Sequence, residues 1–416
     1  MSRRRVIARG VVALACALAS TTLVLGAGPA DAADPASQTT ASSAVAWLKT
    51  QQQPDGGFEM AGFPGFETPD AVLALAEAGQ TSTTWSSSEA LAAVQAVTVS
   101  GHSGLHALDD LADSPPDAGK AAQLIVLDVV PLGLDPAHFD PDSDGSSDLV
   151  AILDAGVAPD GSYGTFNHTL YAALAKKLVG GSVSASTDSF IRSHQQANGG
   201  WGFAGDPAGT DVDPDTTGLA VQALVAAGAN PASDSNLRRA LSFLAGQQGA
   251  DGSWKSPFDS GGNPNSTALA SLAIAAAGYD PASSCWRDAL APGTSGTPYT
   301  GPAAFLRAQQ AADGHIAGPA DSFGVNTFGT TQAVEALLGS WLPVSPAPAQ
   351  PCGVTPSPPP TTAPPVTVLG TEVESGATTP GQLPATGLAG EAWLALVGLA
   401  AVTTGGLLAA VSRHRA

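Results

Sequence analysis

The apolar residues of this chain fall in short, dense runs that recur about every fifty positions. The runs are "TPDAVLALAEAG" (68–79), "DAGKAAQLIVLDV" (117–129), "NHTLYAALAKKL" (167–178), "DTTGLAVQALVAAG" (215–228), "NSTALASLAIAAAG" (265–278) and "TTQAVEALLGS" (330–340). Each is rich in Ala and Leu nearly all round, and a helix that is apolar on every side has to be buried on every side. Most open on Asp, Asn, Thr or Ser, whose side chains accept hydrogen bonds from the free N–H groups of a first turn. Several close on Gly, a common helix stop. Aligned at Asp70, Gly119, Thr169, Thr217, Thr267 and Thr331, the gaps are 49, 50, 48, 50 and 64 residues. A steady period of this size means one supersecondary unit per repeat. The long last gap holds an insertion, "SSCWRDALAPGTSGTPYTG".

Before most of these runs lies a second, more amphipathic one: "SAVAWLKTQQ", "LHALDDLA", "SDLVAILDAG", "DSFIRSHQQ", "NLRRALSFLAGQQ" and "PAAFLRAQQ". The unit is therefore an outer helix, a loop and an inner helix. "TWSSSEALAAVQAV" (84–97) adds one helix between the first two units. Six such hairpins predict an all-α fold, an α6/α6 toroid with inner helices as wall and outer helices as sheath. An open solenoid would need polar terminal caps, which the sequence does not supply.

The loops share a signature: "QQQPDGGF" (51–58), "QQANGGWGF" (195–203), "QQGADGSW" (247–254), "QQAADGHI" (309–316) and, without glutamines, "VAPDGSYG" (157–164). Asp-Gly and Asn-Gly make tight turns because Gly accepts positive φ. The aromatic that follows is expected to pack back on the ring, and the glutamines to satisfy helix-end groups. Gln-x-x-Asp/Asn-Gly-Gly-Trp/Phe repeats on helix pairs resemble the terpenoid cyclase and protein prenyltransferase superfamily, whose toroid is also found in cobalamin carriers. The resemblance covers about 40–341 and implies the fold; one fold hosts unrelated sites.

Squalene–hopene type cyclases carry an Asp-x-Asp-Asp-Thr motif whose central, protonated aspartic acid donates a proton to an isoprenoid. The nearest counterpart here is "DVDPDTTGLA", with Asp211, Asp213 and Asp215, in which Pro214 separates the last two carboxylates. Polar, often Pro-containing stretches precede other inner segments, so these aspartates are expected to cap a helix. The helix dipole and N–H groups would then lower their pKa. The zinc site of the prenyltransferase branch is not expected, since no His lies near Cys285 or Cys352, and the thioester Cys-Gly-Glu-Gln of complement-like relatives is missing.

The chain ends carry addresses. Residues 1–32 read as a signal peptide: Arg3, Arg4, Arg5 and Arg9, an apolar run, then Ala30-Asp31-Ala32. Both general secretion and twin-arginine export fit this start. Residues 33–39 form a short mature N-terminus, 40–341 the toroid, and 342–382 a Pro/Ser/Thr-rich, semi-rigid stalk. Residues 383–416 hold "LPATG" (Leu383, Pro384, Ala385, Thr386, Gly387), an apolar span long enough for a bilayer and a basic tail. This order resembles the sorting signal of Gram-positive surface proteins. It implies that a sortase cuts after Thr386 and joins it to peptidoglycan, the chain being membrane-held before sorting.

Of 36 acidic residues only Asp31 and Glu391 lie outside 33–386; of 16 basic ones, Arg3, Arg4, Arg5, Arg9, Arg413 and Arg415 do, which leaves a mature net charge near −24. Such a surface repels nucleic acid and favours cations. Outside the cell, Cys285 and Cys352 are expected to form a disulfide. In "DPDSDGSSD" (140–148), Asp140, Asp142, Asp144 and Gly145 match the first half of an EF-hand-like calcium loop, with Asp148 at the ninth place. Ala151 stands where the bidentate Glu belongs. The alternative is a turn in which Ser147 or Asp148 caps the next helix.

If the inner helices run in one direction, their N-terminal loops gather at one mouth of the ring. Phe58, Phe63, Phe66, Tyr163, Phe166, His168, Trp201, Phe203, Asp211, Asp213, Asp215, Trp254, Phe258, Phe323 and Phe328 would meet there, as a small-ligand pocket or as a plug of aromatics. The expected function is a sortase-anchored, monomeric surface protein whose toroid binds a small amphipathic ligand without catalysis. The carriers make a corrinoid a specific candidate, although their second, β-rich domain is not visible here. A cyclase-like enzyme acting on an isoprenoid, and an adhesive or structural protein, are the alternatives.

Overall fold

The computed structural model describes residues 33–350, apart from 60–65, 83, 115, 144, 320 and 322–326. Six helices form the inner wall: α2 (Thr68–Ala78), α5 (Ala118–Leu124), α7 (Phe166–Gly180), α9 (Pro214–Ala226), α11 (Pro264–Ala276) and α14 (Thr327–Leu338). α5 runs on into a π-helical turn, Ile125–Val129. The outer partners are α1 (Pro35–Leu48), α4 (Gly104–Asp113), α6 (Leu149–Ala155), α8 (Ala185–Ser193), α10 (Ser235–Gln247) and α13 (Pro302–Ala308). α3 (Ser87–Gln95) follows the first hairpin, and α12 (Cys285–Leu290) lies in the insertion. Among the described residues the only strands are two-residue pairs, Thr98–Val99 with His102–Ser103 and Trp201–Gly202 with Val212–Asp213.

The inner helices pack in the order α2, α5 with its π turn, α7, α9, α11, α14 and back to α2, which closes the ring. The outer helices α1, α4, α8 and α13 each cover the seam between their own inner helix and the preceding one, α1 that of α14 and α2, while α6 and α10 rest on the preceding inner helices, α5 and α9. Side chains tie this closure. Gln310 Nε2 donates to Thr40 O (2.8 Å), Arg307 Nη1 pairs with Asp34 (3.0 Å), and Gln332 Nε2 donates to Asp70 Oδ1 (3.1 Å). The inner runs are buried as their all-round apolar pattern requires: in α9, every residue except Asp215 is buried.

The loop signature is one device used five times. The residue after each turn donates its N–H to a threonine of the following inner helix: Phe58 to Thr68, Tyr163 to Thr169, Trp201 to Thr217, Trp254 to Thr267 and Ile316 to Thr330, at 2.9–3.0 Å. The glutamines close the turn and reach onward. Gln195 Nε2 donates to Gly199 O and to Asn236 O at the start of the next outer helix, and Gln52, Gln248 and Gln310 repeat the pattern. The turn glycine is obligatory. Gly199 has φ +100°, and a Cβ there would come within 2.6 Å of Arg239 O. Trp201 and Trp254 are fully buried, and each indole N–H donates at 2.8 Å to an outer helix carbonyl, Ile191 O and Leu244 O. Truncating such a side chain costs roughly 3–5 kcal/mol.

Two expected boundaries shift. The segment 33–39 is not a tail: Asp34 caps α1, accepting from Ala36 and Ser37 N–H, so the toroid begins at Pro35. At the other end, the first residues of the expected stalk pack on the ring. Val344 is buried, Ala347 N–H donates to Ala276 O, and Gln350 N–H to Gly278 O, both at 2.9 Å.

Candidate functional site

The expected aromatic mouth does not form as drawn. Phe58, Tyr163, Phe166, Trp201 and Trp254 are buried in the wall, where they wedge outer and inner helices together. Their regular placement comes from the turn device, which aims each aromatic into the seam. His168 lies against α5, where a Cβ on Gly119 would fall 2.0 Å from its ring, and its Nδ1 is 3.8 Å from Asp117. Phe203 and Phe328 are half-buried, Phe328 with its ring 4.6 Å from that of Phe66, and Phe258 is 61% exposed. Phe63 and Phe323 lie outside the described residues.

The three aspartates separate into three roles. Asp211 is exposed and accepts from Gln196 Nε2 at 3.0 Å. Asp213 is the N-cap of α9, with Pro214 in the first turn; its Oδ1 accepts from Thr216 N–H (2.6 Å) and its Oδ2 meets Thr216 Oγ1 (3.0 Å). The cap is Asp213, and Asp215 sits one turn inside.

The expected low pKa of this cap is overturned. Asp213 is 8% exposed; burial, then the nearby charge of Asp215, pushes it up to about 8 against the pull of Thr216. Burial likewise raises Asp215, with Ser266 working the other way and Asp259 adding to the rise. One N–H bond does not outweigh the loss of solvent plus a like charge. The amide of Thr216 fixes Asp213 Oδ1 as an acceptor, whereas a hydroxyl both donates and accepts, so Oδ2 is the oxygen suited to carry the proton. A groove of about 360 Å³ flanks this cap, lined by Val212, Pro214, Phe243 and Lys255 among others.

The sequence reading missed a second group inside the ring. Asp70 of α2, Asp128 of the π turn and Glu335 of α14 are buried, at 2%, 0% and 5% exposure, and Glu77 of α2 at 2%. Burial raises all four, Asp128 and Glu335 well above the usual carboxylate range. Asp70 adds to the rise at Asp128 and at Glu335. Tyr171 of α7 responds to the same carboxyls: after burial, Asp70, Glu335 and Asp128 raise its pKa. The available signal was acids inside helices otherwise apolar on all sides, two of them in α2.

The calcium loop is rearranged. Asp148 is the N-cap of α6, Oδ1 accepting from Ala151 N–H at 2.8 Å, and so takes the capping alternative. Asp144 is outside the described residues. Asp140 and Asp142 instead approach Asp109 of α4, with one oxygen of each within 4.8 Å of the others, and Asp142 also pairs with His106 at 2.7 Å. Cys285 is disulfide-bonded; Cys352, its expected partner, and the pentapeptide 383–387 lie outside the described residues. So does the expected apolar span. Among the described residues no helix is long and apolar enough to cross a membrane.

Comparison with known proteins finds two likenesses. Residues 377–416 match the LPXTG cell wall anchor motif. The fold is similar to that of the type II terpene cyclase MstE from Scytonema in its apo form, at 16% identity and a TM-score of 0.50, over 73% of this chain and 98% of that one. A variant of that cyclase in complex with geranylgeranyl dihydroxybenzoate, named as its substrate, aligns at 15% identity and a TM-score of 0.50, over 73% and 97%. No curated protein sequence matches the chain. The chain is thus a cell-wall anchored, Gram-positive surface protein displaying a terpene-cyclase-like toroid.

Proposed function

We propose that the displayed toroid is an acid catalyst that protonates an unsaturated, isoprenoid-type small molecule. The observation that carries this reading is the buried Asp213 at the head of α9, which holds its proton at neutral pH beside the carboxyl of Asp215. A general acid works best with a pKa near the operating pH. In the step itself the Asp213 O–H bond breaks as a C–H bond forms, the alkene π electrons supplying the pair. The positive charge on carbon is discharged when the product loses a proton to water, and a proton from water restores Asp213. The terpene cyclase fold supports an isoprenoid as the substrate class. This reading departs from the expected non-catalytic carrier.

The test is incubation of the mature, wall-released chain with squalene and polyprenyl substrates, followed by product analysis. Asn at position 213 keeps an acceptor for Thr216 N–H and removes the acid. Cyclised or isomerised product that disappears in Asp213→Asn supports the proposal. Substrate bound but returned unchanged by the native chain favours the small-ligand carrier instead, the reading that Pro214 between the two carboxyls supports.

Two further proposals accompany it. Thr386 is the residue joined to peptidoglycan; Thr386→Ala should leave no wall-linked protein, and undiminished linkage would refute this. The oxygens gathered by Asp109, Asp140 and Asp142 support a calcium ion there. Calorimetry with calcium should give heat that Asp140→Asn abolishes, and the absence of heat at millimolar calcium overturns the site.

A further inference from the structure

The ring interior holds more acid than its own structure satisfies. Neither carboxyl oxygen of Asp128 has a hydrogen-bond partner, and the same holds for Asp70 Oδ2 and Glu335 Oε1. Folded proteins pair nearly all of their buried polar atoms, and an unpaired group points to something that binds it. Here four such oxygens come from three neighbouring helical segments: α2, the π turn and α14. α2 packs on both of the others, and α7, which carries Tyr171, packs on the π turn. π turns recur at functional sites. The one lysine acting on the group is Lys120 of α5, through Asp70. Burying a carboxyl without partners is unfavourable in either protonation state, and an apolar residue would serve packing alone better.

We propose that Asp70, Asp128 and Glu335 form a binding site for the ammonium group of an organic cation inside the ring. The carboxyls set the sign of the ligand: burial holds them protonated when the site is empty, and a cation is the partner against which they would ionise, with a single lysine acting on them. Geometry sets its size. Among the described residues, only Asp109, Asp140 and Asp142 bring their oxygens close enough together to share one small ion. The interior group suits a cation that presents several N–H donors to separated acceptors. An alkyl chain on the nitrogen has the apolar inner faces of the helices to lie along. Tyr171 of α7 stands beside the same carboxyls. This site does not depend on proton transfer at Asp213.

The probe is octylammonium, titrated calorimetrically into the mature chain near neutral pH, with octanol, octanoate and calcium chloride as comparisons. Octylammonium should bind, and octanol and octanoate should not. Asp128→Asn and Glu335→Gln should each weaken octylammonium about tenfold or more, as expected for the loss of a charge-assisted hydrogen bond. Each amide matches the size of the protonated carboxyl it replaces, so the fold should survive, and circular dichroism of each variant checks it. Equal binding of octanol, displacement of octylammonium by calcium, or unchanged affinity in both folded variants would each overturn the proposal. None of these outcomes bears on turnover at Asp213, which is read separately in Asp213→Asn.

Discussion

Glu59 and Asp213 both stand at the head of an inner helix, and their chemistry is opposite. Glu59 accepts from the N–H groups of Phe66, Glu67 and Thr68 at 2.9–3.2 Å. Burial pushes it up, but those bonds outweigh burial and hold its pKa below the usual value. Asp213 takes one N–H, from Thr216, and has Asp215 two positions away, and its pKa rises. A helix N-terminus therefore does not fix the protonation state of the carboxyl that caps it. The number of donors, set against desolvation and neighbouring charge, decides. One copy of the repeat makes an anion and another makes an acid.

The comparison can be broken at several points. The largest effect is on catalysis: Asp213→Asn should lower turnover of an isoprenoid substrate by about 10²–10⁴-fold, the usual worth of a general acid. Glu59→Gln should leave it within a few-fold. Equal losses in the two variants would remove the distinction. Next is the pH dependence of stability. Asp213 has a folded pKa of about 8, above its unfolded value near 4. Between those values the folded state holds a proton that the unfolded chain has released. Stability should fall as pH rises through that window, by up to a few kcal/mol, and Asp213→Asn should flatten the slope in denaturant titrations. Glu59 runs the other way: its contribution is present above the unfolded pKa and fades as pH falls through the lowered folded value. Glu59→Gln should therefore cost roughly 1–3 kcal/mol at neutral pH and progressively less in acid. The smallest expected effect tests the shared scaffold. Thr217→Val removes the acceptor of Trp201 N–H and should cost about 1–3 kcal/mol in chemical denaturation, while leaving the pH slope intact.

The ring was legible in the sequence because its causes are local and repeated. All-round apolar runs at a fixed period cannot be buried singly, and the Asp-Gly and Asn-Gly turns before Phe58, Trp201 and Trp254 mark each hairpin. α1 was placed too late because "PASQTTASS" is weakly apolar, and only the Asp34 cap with its Pro35 start reveals the first turns. The candidate site was harder to read. The position of Asp213 and its capping role were visible, but its protonation state depends on how deeply the α9 head is buried and on Asp215, both tertiary facts. Asp128 lies in "LIVLDV" and Glu335 in "AVEALL", each a lone acid among apolar residues. Nothing in either stretch announces that ring closure brings them near Asp70, hundreds of positions away in the case of Glu335.

The pairing of residues 347–350 with the end of α11 has a mechanical consequence. Any pull from a wall-linked C-terminus reaches the ring through this segment, which follows α14. The first resistance it meets is the pair of bonds from Ala347 N–H to Ala276 O and from Gln350 N–H to Gly278 O, with the Cys285 disulfide close by in sequence. The seam that closes the ring, where α1 and α2 meet α14, lies elsewhere on the circumference. Drag on the bacterial surface would thus be taken up first by a tether outside the inner wall, before it reached the interior of the ring.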